Sequence, residues 1–151
     1  MDLIKLYKDK GQLEIFKIEH AQISKYIEAA YQDLKEVRIT FPVSDKAAYL
    51  FAYTAMLKMG RALLFLKGFR SKGKGQHETV IEIAGDILGK GFTDLTNDFD
   101  AMRRKRNKMI YDVGDLISHS DAEGAFRTAE QYLNKVKDFM KKEDSQLRFE
   151  L

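Results

Sequence analysis

Between positions 100 and 112 the chain sets Asp100, Arg103, Arg104, Lys105, Arg106, Asn107, Lys108, Tyr111 and Asp112 along a stretch with helical patterning. Five of the six residues from 103 to 108 are cationic, in a protein whose formal net charge is only +3. Like charges crowded onto a turn and a half of helix repel one another, so something must offset them. A bound anion such as a phosphate would do so. So would a solvated helix face neutralised by Asp98, Asp100 and Asp112.

At the helical angle of 100° per residue, Leu95, Phe99, Met102, Met109 and Ile110 share one side, which is the expected core face. Asp100, Arg104, Asn107 and Tyr111 fall together on another side, within about 60° of arc. They form a stripe of complementary donors and acceptors. Arg106 belongs to neither set, because it projects between Met102 and Met109 inside the apolar arc. A buried arginine needs a carboxylate, a phosphate or backbone carbonyls. An acid on a neighbouring helix, a subunit seam along which the side chain snorkels, or a ligand would each serve.

The elements that must position this stretch are helices. Apolar residues at Phe16, Ile23, Ile27, Ala30, Leu34 and Val37 predict a helix over 13–37, ended by Ile39-Thr40-Phe41 and Pro42. Ser44 is an N-cap for the next, about 45–67, with Gly68 at the left-handed position after it. That helix is apolar on most of its circumference and belongs at the centre of a bundle. Its Ala48, Ala52, Ala55 and Gly60 allow a neighbour to come close. The polar, basic segment 69–76 reads as a mobile loop and lacks the GxxxxGK[ST] pattern of a phosphate loop. A shorter helix over about 78–88 is stopped by Gly89 and Gly91. The next runs from Thr93 to Tyr111. The last opens on Ser120-Asp121-Ala122-Glu123, read as a capping box, and continues to about Lys142. No segment alternates with period two for long. The expectation is an all-α fold: one domain over 1–151, an antiparallel up-and-down bundle of four to five helices.

Composition narrows the function. Hydrophobic residues make up 44% and charged residues 32%, an ordinary balance for a globular protein. There is no cysteine, which excludes disulfides and thiolate metal sites and suits a cytoplasmic location. His20, His77 and His119 lie far apart without zinc-binding spacing, so neither a metal nor a cofactor is expected. The apolar segment 47–66 is broken by Lys58, Gly60 and Arg61, a poor membrane span. Of the histidines, His20 reads as a core residue, His77 as a capping or packing residue, and His119 as a solvated loop residue.

The fragments Ala47-Ala48-Tyr49, Ala62-Leu63-Leu64-Phe65-Leu66-Lys67-Gly68-Phe69-Arg70, Gly75-Gln76-His77-Glu78-Thr79-Val80, Arg104-Lys105-Arg106-Asn107 with Tyr111-Asp112, and Ile117-Ser118 with Ala122-Glu123 occur in a set order. In that order the chain resembles the HEPN superfamily (higher eukaryotes and prokaryotes), in its single-domain bacterial and archaeal form, over nearly its whole length. The resemblance implies a helical bundle that dimerises through the motif-bearing helices. Active members are metal-independent ribonucleases carrying an arginine, a polar residue and, four to six residues on, a histidine. The arginine stabilises charge on the phosphate, and the imidazole exchanges a proton with the attacking 2′-hydroxyl. Here Arg106-Asn107 matches the first part and Tyr111 holds the histidine position. A phenol with pKa near 10 falls short of a neutral base by about 3 units, roughly 4 kcal/mol.

The resemblance therefore implies a non-catalytic or weakly active module. It would bind RNA, a nucleotide or a protein partner through Arg103, Arg104, Arg106, Asn107, Tyr111 and the flanking Asp100 and Asp112. A minimal nucleotidyltransferase, in a toxin–antitoxin-like pair, is the implied partner. In some members a tyrosine two residues beyond the histidine accepts a nucleotide; here that position is Val113. The alternatives are a ribonuclease using Arg106 with Tyr111, and a purely structural homodimer whose polar stripe is a seam.

Overall fold

The longest apolar segment becomes the helix around which the others pack. In the computed structural model, which describes residues 2–112, 117–145 and 147, the order is α1 (Leu3–Asp9), β1 (Leu13–Ile15), α2 (His20–Thr40), α3 (Asp45–Leu66), β2 (Phe69–Ser71), α4 (Gln76–Leu88), a 3-10 turn (Lys90–Phe92), α5 (Thr93–Tyr111) and α6 (His119–Glu143). The Ser44 hydroxyl accepts from the Ala47 N–H at 3.1 Å and starts α3. Gly68, at φ +85°, lets the chain turn after it. By length and composition α3 could cross a membrane, but 61% of its most apolar window is buried inside the protein.

Helix directions follow from cross-helix contacts. Lys58 meets Asp33 at 2.7 Å and Phe65 meets Tyr26 at 4.9 Å between ring centres, so α2 and α3 run antiparallel. Asp45 meets His119 at one end of α3 and Lys67 meets Glu143 at the other, so α3 and α6 run in parallel. Lys105 with Asp121 and Phe92 with Phe139 make α5 antiparallel to α6. The four long helices thus alternate in direction, and α4 is packed against α3 and α5. Its close approach to α3 is made possible by Gly60, where a Cβ would stand 2.8 Å from Val80 Cγ1. A T-shaped stack of Phe99 on Tyr132, with Tyr53 edge-on to Phe99, fills the space between α3, α5 and α6.

The fold is mostly helical, with six α-helices among the described residues where four to five are expected, and several elements differ from expectation. Residues 13–19 are not helical. Leu13–Ile15 pairs antiparallel with Phe69–Ser71, Glu14 opposite Arg70, so part of the expected loop is strand. Three-residue strands are too short to show an alternation. The segment Leu3–Asp9, left unassigned by periodicity, is a helix capped by Asp2. The last helix begins two residues early: Ser118, not Ser120, is its N-cap, and Asp121 closes the box. Ile110, expected in the core, is 46% exposed. His20 is not a core residue either; it starts α2 and meets Asp144 at 2.5 Å. His119 lies in α6 rather than a loop, with Asp45 at 2.7 Å and Phe41 against its ring.

Candidate functional site

Acidic residues on three helices take up much of the basic run. The Arg103 side chain, only 18% exposed, donates to Asp100 at 2.9 Å and lies 3.9 Å from Glu78 of α4. Arg104 approaches the other Asp100 oxygen at 3.6 Å, and Lys105 reaches Asp121 of α6 at 3.4 Å. The acids expected to neutralise the run were Asp98, Asp100 and Asp112; only Asp100 does, and the other two partners arrive from neighbouring helices. The expected stripe does not act as one unit. Asp100 and Arg104 are paired, Asn107 accepts from Arg106 at 3.2 Å, and Tyr111 is 79% exposed at the end of α5 beside exposed Asp112. Val113 lies outside the described residues.

Arg106 faces inward, as its helical angle requires, and its partner is not an acid. Its guanidinium carbon stands 6.0 Å from the centre of the Tyr53 ring, within reach of a cation–π interaction. Among the described residues no carboxylate lies within 4.0 Å of Arg106, and none lies that close to Arg61 of α3. Both arginines act electrostatically on His77, in the first turn of α4. Its Nδ1 is 3.0 Å from the Tyr53 hydroxyl.

Burial, then the charges of Arg61, Arg106 and Arg103, push the imidazole down to about 4. Burial likewise pushes the Tyr53 phenol up to about 12, against the pull of the same arginines. At neutral pH the phenol is therefore protonated and the imidazole neutral. The Tyr53 hydroxyl and Nδ1 therefore share one hydrogen bond between two uncharged groups. Three helices thus bring three arginines around one neutral histidine. α3 supplies Arg61 and Tyr53, α4 supplies His77, and α5 supplies Arg103 and Arg106.

Such a site has a clear chemical preference. Two guanidinium groups without acidic partners among the described residues attract an anion, and their planar forks match phosphate or carboxylate oxygens. An anion there would also offset the charge that keeps His77 neutral. Among the described residues no group of three or more His, Asp or Glu converges as a metal site. Arg61 and His77 were absent from the sequence-derived set. In the sequence Arg61 is only a charge that, with Lys58 and Gly60, interrupts an apolar segment. His77 had no local signal at all, because its neighbours come from helices about 25 residues away on either side. No model of a known protein family matches the chain, and no curated protein or solved structure matches it either.

Proposed function

We propose that this chain is a HEPN-like helical module that binds a phosphate-bearing ligand, RNA or a nucleotide, through Arg61, Arg103 and Arg106 around His77. The observation that carries this reading is a pair of half-buried arginines, without acidic partners among the described residues, whose charges act on a histidine kept neutral. Holding like charges together in partial burial costs free energy that a phosphate would offset. Dimerisation through α5, and pairing with a minimal nucleotidyltransferase, belong to the same proposal and rest on the order of the sequence fragments. The motif position Tyr111, solvent-exposed, is left as a rim residue rather than a base.

Binding is tested by titrating the protein with inorganic phosphate and a short RNA while following the amide signals of residues 100–112 and 76–80. Arg106→Ala should weaken binding about tenfold or more, in line with loss of one charge-assisted pair. Unperturbed signals at both segments would sink the reading and leave the polar stripe as a structural seam. A second reading, metal-independent RNA cleavage, is favoured by one observation: His77 places an imidazole within the field of Arg106, which Tyr111 does not. Cleavage of mixed RNA in the presence of a chelator, lost in both Arg106→Ala and His77→Ala, would establish it.

A further inference from the structure

Beside the arginine cluster, between α2, α3 and the β1–β2 pair, lies a cleft of about 460 Å³ that Arg61 shares with the cluster. Its size falls in the usual range for small-molecule sites. Its walls combine two chemistries. Phe65 lies 4.9 Å from Tyr26 and 6.0 Å from Phe16, centre to centre, with its ring tilted by 58° and 51° to theirs, so three rings line the cleft as separate faces. The guanidinium carbon of Arg70 sits 4.0 Å over the Phe16 ring and adds a flat cationic surface. Tyr26 is 38% exposed, well above a core aromatic.

Glu14 takes up much of the charge of Arg70 and Lys72, while Arg61 has no acidic partner among the described residues. Gln76 also lines the cleft, its side-chain oxygen 3.5 Å from the Ser71 hydroxyl and its amide N–H groups able to pair with the polar edge of a ring; its chain neighbour is His77.

We propose that this cleft holds the base of a nucleotide unit, stacked against the exposed Tyr26 ring, with its phosphate directed by Arg61 into the arginine–histidine cluster. The inference rests on the phosphate-binding reading and adds the aromatic half of the ligand. Aromatic faces accept any base. A bare phosphate or a carboxylate would leave the rings without a role. The unit can be free or part of a single strand, since the recognised chemistry is the same.

The test is calorimetric titration of the full chain with AMP, with ribose 5-phosphate, and with a short oligoadenylate. AMP or the oligoadenylate should bind about tenfold more tightly than ribose 5-phosphate, the size of one base-stacking contribution. Tyr26→Leu should remove that advantage and leave ribose 5-phosphate unchanged. Tyr26→Phe, which keeps the ring, should retain it. Preference for the oligoadenylate over AMP would identify a strand as the source, and equal binding a free nucleotide. If ribose 5-phosphate binds as well as both base-bearing ligands, or if Tyr26→Leu leaves their advantage intact, the base pocket is wrong and phosphate binding stands. If none of the three binds, and inorganic phosphate does not either, both readings fall together.

Discussion

His77 sits half inside the fold, with a phenol on Nδ1 and arginines from two helices around it, and both burial and charge disfavour the imidazolium. In the unfolded chain the same group titrates near 6.5, while in the fold it titrates at about 4. Between those values the unfolded chain binds a proton that the folded chain refuses, so stability falls as pH drops from 6.5 towards 4. The loss across that window is about 1–2 kcal/mol, reduced from the full linkage value by solvent screening at a half-exposed ring. His77→Gln should flatten this acid limb in urea melts taken at several pH values; an unchanged limb would remove burial and arginine charge as its cause. At this scale the sequence disclosed Arg106, because a helical angle alone assigns it to the apolar face. It could not disclose His77 or the role of Arg61, since what matters there is which helices meet, and no local pattern encodes that.

Helix boundaries were more legible than contacts, because caps and glycines act locally. Ser44, Gly68 and Gly89 mark ends where periodicity and backbone chemistry agree. Boundaries shift from the pattern where two signals compete. Both Ser118 and Ser120 precede an acidic residue three positions on, and only the first closes a box. β1 and β2 are made by pairing across the fold, so neither has a signature of its own. Gly60 shows packing overriding propensity. Alanine would gain about 1 kcal/mol as a helix former, but its Cβ would press on Val80 at 2.8 Å. Overpacking of that kind costs about 1–3 kcal/mol. Gly60→Ala should therefore lower the urea midpoint, corresponding to a loss of about 1 kcal/mol of stability net of the propensity gain, and Val80→Ala in the same chain should recover part of it. A rise in the midpoint would mean that α4 yields easily at that point.

Across the whole molecule, charge is arranged so that acids on several elements restrain a basic surface rather than cancel it. Glu14 is one such restraint; Arg70 and then Lys72 hold its carboxyl below the usual carboxylate range. Glu14→Gln raises the formal net charge from +3 to +4 and leaves both cations free to face the cleft. Affinity for inorganic phosphate should rise about twofold at low salt, and the gain should vanish near 1 M salt, where screening acts within about 3 Å. A gain that survives high salt would point instead to a rearranged cleft. The exposed connection Lys72–Gly75 also divides the arginine cluster by chain order. Arg61 and Tyr53 precede it; His77, Arg103 and Arg106 follow it. A protease that nicked the backbone there would leave two fragments, each with part of a binding site, and an anion spanning them would serve as a rivet holding the severed halves together.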